Sequence, residues 1–275
     1  MSQNTQQFTI FGNPVDHSKS PQMHNAGFKA INFDAAYSKY LLEDGSTIKD
    51  TFLQNHFKGA NITVPHKEYA YKNADILDDI AKKTGAVNTY INENGKIKGY
   101  NTDAPGFYKA IEEFKDIKNV LLIGAGGTAK AIAVILKEHN IDVTVLNRSQ
   151  NSREFFINLG CKFFDWDGMR LLLSNGIIAY DLIVNSTSAG LKDNNYPAPL
   201  EILNPLIEAT KYTFDCIYGK TTPFLKIAQK YNKPFKDGED MLLYQGVLAF
   251  ELFTNTKANE QLVETMRTAL KGIDH

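Results

Sequence analysis

The chain has 275 residues, 43% of them hydrophobic and 22% charged, with a formal net charge of −1. That length suits two domains whose cores need no staples, and the near-neutral balance argues against nucleic acid or an anionic membrane as the main partner. Cys161 and Cys216 are the two cysteines, far apart, so neither a disulfide framework nor a metal site is expected; with no apolar signal core and no run of about 18 apolar residues, the expectation is a cytoplasmic protein.

Residues 8–11 read as a strand, closed by Gly12-Asn13-Pro14. Ser20-Pro21 opens a helix to about residue 31, with Ser20 the expected N-cap and Pro21 in the first turn. Residues 36–41 form a second strand, 47–57 a second helix, and 59–64 a third strand stopped by Pro65. A helical stretch covers 76–83. Residues 87–91 and 96–100 flank Asn94-Gly95, a strong hairpin signal. Such alternation of strand and helix predicts a largely parallel sheet covered by helices.

A helix over 103–114 leads into a second domain. There an apolar run, 119–123, meets Gly124-Ala125-Gly126-Gly127-Thr128-Ala129-Lys130-Ala131, and a helical pattern follows. Strand, tight glycine turn and helix in this order make a phosphate cradle. Gly124 permits the turn, Gly126 lets the backbone approach a pyrophosphate, and Ala131 lets the helix pack close. The helix N-terminus adds free N–H groups and partial positive charge.

The next strand, 142–146, ends at Asn147-Arg148-Ser149. An NAD-binding unit carries an acid there for the ribose 2′-hydroxyl. Neutral Asn147 and cationic Arg148, with Arg153 nearby, favour a 2′-phosphate and therefore NADP. Further strands fall near 181–185 and 212–215, and a helix follows Pro223. Two consecutive helices, 241–253 and 258–270, close the chain and are expected to pack back on the first domain, with the active-site cleft between the domains.

Within the first domain, Pro65 places Thr63 and Lys67 at the C-terminal end of a strand, the edge that faces ligands in open α/β sheets. Lys67 there can give or take a proton, and His66 is its rival for acid–base work. Asp103 is suited to hold such an amine; it also lies at a helix start, where either Thr102 or Asp103 is expected to cap. Asn88 offers a neutral amide to a hydroxyl, although alone it reads as a turn residue. Ser18 and Ser20 present two hydroxyls near a helix N-terminus, which suits a carboxylate.

Together these segments resemble the shikimate dehydrogenase family. Gly12-Asn13-Pro14 through His17-Ser18-Lys19-Ser20-Pro21-Gln22-Met23-His24-Asn25 looks like its opening motif. Asn61-Ile62-Thr63-Val64-Pro65-His66-Lys67, Ala86-Val87-Asn88-Thr89 and Gly99-Tyr100-Asn101-Thr102-Asp103 match its next motifs in order. The glycine turn, Asn147-Arg148-Ser149 and Asn185-Ser186-Thr187-Ser188-Ala189-Gly190 resemble its cofactor motifs. Asp237-Gly238-Glu239-Asp240-Met241-Leu242-Leu243-Tyr244-Gln245 resembles the segment where its chain returns to the catalytic lobe. The resemblance covers nearly the whole chain.

It implies NADPH-dependent, reversible reduction of 3-dehydroshikimate to shikimate, a step of chorismate and aromatic amino-acid biosynthesis. It implies a two-lobed α/β fold with a mainly parallel substrate domain over residues 1–103, a Rossmann-like NADP domain over 104–236, and helices over 237–275 returning to the first lobe. Lys67 and Asp103 become the catalytic pair, which decides against His66. Ser18, Ser20 and Thr63, joined by Tyr218, bind the substrate carboxylate, Asn88 and Gln245 hold ring hydroxyls, and Asn61 completes the substrate-binding set. The cofactor set is Gly124, Ala125, Gly126, Gly127, Thr128, Asn147, Arg148, Ser149, Arg153, Thr187, Cys216, Gly238 and Met241, the last with Gly238 near the nicotinamide. No metal is implied, and a monomer or homodimer is expected.

Three positions depart from the family pattern: Ser149 where Thr is more common, Gly219 after Tyr218 in place of a turn such as Asn-Pro, and Lys130 in place of Arg. The rival readings are a quinate/shikimate dehydrogenase using NAD, a redox sensor that binds NADP without turnover, and a folate-type two-lobed dehydrogenase, which would lack the paired serines.

Overall fold

The computed structural model describes residues 5–176 and 178–272. Residues 1–4 of the polar start and 273–275 of the expected third segment lie outside them. The chain divides into two units, Met1–Gly106 with Leu243–His275, and Phe107–Leu242.

The first unit holds β1 (Gln6–Gly12), β2 (Ala35–Leu41), β3 (Gly59–Ile62), β4 (Ile76–Leu77), β5 (Thr89–Glu93) and β6 (Lys96–Tyr100), in the order β2-β1-β3-β5-β6-β4. β1 runs parallel to β2 and β3, and β4 parallel to β6. β5 is antiparallel to both its neighbours. The reversal lies at Asn94 and Gly95, whose φ angles of 55° and 86° give the primed turn that suits strand twist.

Helices α1 (Ser20–Ala30), α2 (Ile48–Gln54), α3 (Lys67–Asn73), α4 (Asp79–Thr84) and α5 (Asp103–Ala110) follow the strands. Two expectations need correction. The helix expected over 47–57 is shorter at both ends: a 3-10 turn at Gly45–Thr47 precedes it, and it stops at Gln54 because His56 takes a left-handed φ of 55°. The stretch 76–83 is not one helix: Ile76 and Leu77 pair with β6, and Asp78 stays extended to accept the Ala81 N–H at 2.7 Å. An acid that caps from outside a helix starts a new element there.

Near the end of the chain stand α11 (Glu239–Thr254) and α12 (Glu260–Lys271). α12 packs on α1. The rings of Phe250 and Phe253 lie against Gly27 and Gly59, where an added Cβ would stand 2.7 and 2.5 Å from ring carbons. Phe8, Phe28 and His24 complete that aromatic cluster. Each fully buried phenylalanine contributes about 1.5–3 kcal/mol, so these helices are part of the first unit's core.

The second unit is a six-stranded sheet of β7 (Asn119–Ile123), β8 (Asp142–Leu146), β9 (Lys162–Phe164), β10 (Leu182–Asn185), β11 (Tyr212–Asp215) and β12 (Phe235–Lys236). Its order is β12-β11-β10-β7-β8-β9, and every pairing is parallel. This is the doubly wound order, whose switch point between β7 and β10 is where such sheets bind dinucleotides. Outer strands β9 and β12 carry too few residues for a periodic signal. Helices α6 (Gly127–Glu138), α7 (Arg153–Asn158), α8 (Trp166–Ser174), α9 (Leu200–Ala209) and α10 (Pro223–Lys230) connect the strands. Among the described residues no helix is long and apolar enough to cross a membrane, and no cluster could hold a metal ion.

Candidate active site

β3 is fully buried, and the chain leaves it through Thr63 and Pro65 to begin α3 at Lys67. Lys67 Nζ donates to Asp103 Oδ2 at 2.6 Å. The two side chains are 28% and 17% exposed, shielded from bulk water yet open to a ligand.

Asp103 begins α5, and its carboxylate is not consumed as a cap. Asn101 Oδ1 accepts the N–H groups of Asp103 and Ala104 at 3.1 and 3.3 Å. The cap expected from Thr102 or Asp103 is therefore Asn101. Asn88 is buried and is no turn residue: its Oδ1 accepts the Thr102 N–H at 2.8 Å, and its Nδ2 donates to Asp103 Oδ1 at 3.0 Å. Each Asp103 oxygen thus receives one donor from a different element.

His66 sits beside Lys67 in sequence and elsewhere in chemistry. Its ring is 1% exposed, and Nε2 donates to the Leu42 carbonyl at 2.7 Å. A histidine committed to a buried carbonyl has no route to a substrate proton.

Ser20 is the first residue of α1 and does not cap it; the N-cap position is Lys19, which makes no side-chain cap bond. Ser18 Oγ accepts the Ser20 N–H at 3.3 Å and donates to Ser20 Oγ at 3.2 Å. The pair of hydroxyls at the start of this eleven-residue helix suits an anion. Asn61 is 5% exposed and bridges inward, accepting from the Tyr37 phenol at 2.7 Å and donating to Thr89 Oγ1 at 3.1 Å. The Thr63 methyl packs where a Cβ on Gly12 would lie, 2.5 Å away. Gln245, on α11, lies against Gly106 one turn along from Asp103.

The second unit carries the expected cofactor residues. Gly124 has φ of 108°, and an added Cβ would meet Ser186 Oγ at 2.7 Å, so the turn accepts glycine alone. At Gly126 and Gly127 an added Cβ would meet nothing within 4 Å. Both face open space at the start of α6, whose N-cap Gly126 makes no side-chain bond. Ala125 and Thr128 flank them, half-buried. Asn147 Nδ2 donates to the Ser149 carbonyl and hydroxyl at 2.8 and 3.3 Å, shaping the turn that presents Arg148. Arg148 and Arg153 are exposed. Neutral turn, free N–H groups and two exposed guanidinium groups fit a phosphorylated dinucleotide.

A buried clasp that the sequence did not announce orders the segments carrying the other residues expected to meet the cofactor. Asn185 Oδ1 accepts from Thr187 N and Oγ1 at 3.0 and 2.8 Å, and its Nδ2 donates to Asp215 Oδ1 at 3.1 Å. Asp215 also accepts from Ile217 N at 3.0 Å and Thr222 Oγ1 at 2.6 Å. Burial pushes its carboxyl pKa up, and these donors offset part of that cost. An acid at the end of an apolar strand was the one available signal. Beyond the clasp, Gly238 N donates to the Ile217 carbonyl at 3.0 Å, and an added Cβ would collide with the Cys216 carbonyl. Met241 is buried. Tyr218 is 40% exposed and belongs to the second unit, whereas Ser18, Ser20, Asn61 and Thr63 belong to the first. Gly219 takes φ of 76° and donates to Asp237 Oδ2 at 3.1 Å, which accounts for glycine there.

Residues 10–90 match the shikimate dehydrogenase substrate binding domain, and 238–271 match the shikimate 5'-dehydrogenase C-terminal domain. A Helicobacter hepaticus protein named shikimate dehydrogenase (NADP(+)) is 44% identical over 263 residues, 95% of this chain and 96% of that one. The chain belongs to the shikimate dehydrogenase family.

Solved family structures share the fold. The Aquifex aeolicus shikimate dehydrogenase is 30% identical with a TM-score of 0.85, over 97% of this chain and 98% of that one. The Thermus thermophilus shikimate 5-dehydrogenase, solved in complex with NADP(H) and shikimate, is 29% identical with a TM-score of 0.84, over 98% of this chain and 100% of that one. The family's mixed α/β architecture is the one expected from the motif order, terminal helices included.

Proposed function

We propose that this protein is an NADP-dependent oxidoreductase that reduces 3-dehydroshikimate to shikimate, reversibly. The carrying observation is the 2.6 Å contact between Lys67 Nζ and Asp103 Oδ2, with the Asp103 backbone capped by Asn101. NADPH supplies the hydride, to C3 of the substrate. Lys67 Nζ gives a proton to the carbonyl oxygen as it becomes a hydroxyl, and Asp103 holds that amine and balances its charge. Ser18, Ser20 and Thr63, joined by Tyr218, bind the substrate carboxylate, Asn61 lines the substrate site from beneath, and Asn88 and Gln245 stand on the ring-hydroxyl side. The glycine turn 124–128, Asn147, Arg148, Ser149, Arg153, Thr187, Cys216, Gly238 and Met241 hold the cofactor. The same reading places the enzyme in the cytoplasm, as a monomer or homodimer acting on a small molecule, with neither nucleic acid nor membrane as partner.

The absence of an acid at 147 and 148 supports NADP over NAD. The test is formation of reduced nicotinamide, followed by absorbance, from shikimate with NADP, and in parallel from shikimate or quinate with NAD. Turnover with NADP and shikimate is expected. Preference for NAD and quinate would favour the rival dehydrogenase, and cofactor binding without turnover would favour a sensor.

A further inference from the structure

Behind the Lys67–Asp103 pair runs a chain of buried polar side chains, two of which, Tyr37 and Thr89, the reaction as described does not use. Tyr37, Asn61, Thr89 and Asn88 are 4%, 5%, 0% and 2% exposed. Their hydrogen-bond directions follow from the fixed ends. The Thr102 N–H can only donate, so the atom of Asn88 that it meets at 2.8 Å is the amide oxygen. The amide nitrogen then faces Asp103 Oδ1 at 3.0 Å.

Thr89 Oγ1 lies 3.0 Å from Asn88 Oδ1 and gives it its single proton. The Thr89 oxygen in turn accepts from Asn61 Nδ2 at 3.1 Å. That fixes Asn61 Oδ1 as acceptor of the Tyr37 phenol at 2.7 Å. Every bond donates toward Asp103. Both Asn88 amide protons are engaged internally, on Thr102 Oγ1 at 2.9 Å and on Asp103 Oδ1.

We propose that Tyr37 and Thr89 are positioning residues for this reaction, members of a one-way relay, Tyr37 to Asn61 to Thr89 to Asn88, that aims and polarises the Asp103 carboxylate. The inference rests on the dehydrogenase reading above for its kinetic consequence, and on geometry alone for the relay. Aligned hydrogen bonds in a low-dielectric interior strengthen one another, so the last donor, Asn88, holds Asp103 more firmly than an isolated amide would. A carboxylate held from one oxygen by Asn88 keeps its other oxygen on Lys67, where the proton is moved. Burial raises the Tyr37 phenol pKa well above its ordinary value, so it remains a donor at any working pH.

The test compares Thr89→Val, which keeps shape and deletes the hydroxyl, with Thr89→Ser, which restores it, and with Tyr37→Phe. Thr89→Val should lower kcat about tenfold with KM for NADP unchanged, and Thr89→Ser should recover most of that loss. Tyr37→Phe should lower kcat by a smaller factor, about threefold, since it removes only the first donor. A second readout needs no turnover: in the whole protein, the Asn88 side-chain amide protons, followed by NMR, should exchange faster with solvent in Thr89→Val and return to slow exchange in Thr89→Ser. Unchanged kcat in Thr89→Val, or equal loss in Thr89→Ser, overturns the kinetic role; unchanged Asn88 exchange overturns the relay itself. An inactive wild-type protein would remove the dehydrogenase reading, while the exchange measurement would still decide the relay.

Discussion

Asn101 Oδ1 accepts the backbone N–H of Asp103 at 3.1 Å, so the capping of α5 and the chemistry of its first residue fall to different side chains. Asp103→Asn should therefore lower turnover by about 10²–10⁴-fold and leave the melting temperature close to wild type. Asn101→Ala should do the reverse in emphasis. It removes the cap, worth about 0.5–2 kcal/mol, and also the donor to Thr84 Oγ1 and the Ala86 carbonyl. Initial rates and thermal melts on the two variants check the division. A large stability loss in Asp103→Asn with ordinary turnover would return that residue to a structural role.

Arg148→Ala should weaken NADP far more than NAD. A charged hydrogen bond to phosphate contributes about 1.5–3 kcal/mol, one to two decades in affinity. Calorimetric titration with each cofactor decides it, and equal losses for both would make Arg148 a general surface charge.

Gly238→Ala should impair the second unit through the backbone. The new methyl would meet the Cys216 carbonyl, which neither rotates nor compresses. The segment 216–219 must shift, so weaker cofactor binding is expected along with a stability loss of about 1–3 kcal/mol, read as a lower melting temperature. Wild-type behaviour in both assays would show that the loop yields more easily than its hydrogen bonds suggest.

His24 should make the first unit sensitive to acid. Its ring stacks on Tyr37 at 4.4 Å and is surrounded by Phe28, Phe250 and Phe253. Burial lowers its pKa from 6.5 to about 3. The unfolded chain therefore binds a proton that the folded chain refuses between those values. The His24 contribution is fully present above about pH 6.5, falls as pH drops toward 3, and is level below, with a slope approaching about 1.4 kcal/mol per pH unit. Denaturant midpoints measured across that window should fall less steeply in His24→Phe than in wild type. Parallel curves would place the acid sensitivity elsewhere.

Much of this site lay open in the sequence because it depends on local rules. The glycine turn, the Asn94-Gly95 reversal and the strand end at Pro65 each declare themselves within a few residues. What stayed hidden depends on partners distant along the chain. Nothing near Asn61 announces Tyr37, and nothing near Asn185 announces Asp215. The cap of α5 was equally closed: Thr102 and Asp103 both suit it by residue type, and only the position of Asn88, bonded to both, leaves that role to Asn101. Ser20 misled for a related reason: a serine before proline reads as a cap, yet here the helix has already begun. β4 was lost inside a helical stretch because two residues carry no periodicity.

The Asn185–Asp215–Thr222 clasp has a consequence for a cut chain. It joins the ends of neighbouring strands to the turn before α10, and the exposed segment 191–196 lies between its members. A protease that nicks there severs the covalent path and leaves the clasp and the β10–β11 ladder in place. The two fragments should stay associated through size-exclusion chromatography and separate only in denaturant, so this segment is a natural seam for splitting the protein into complementing halves.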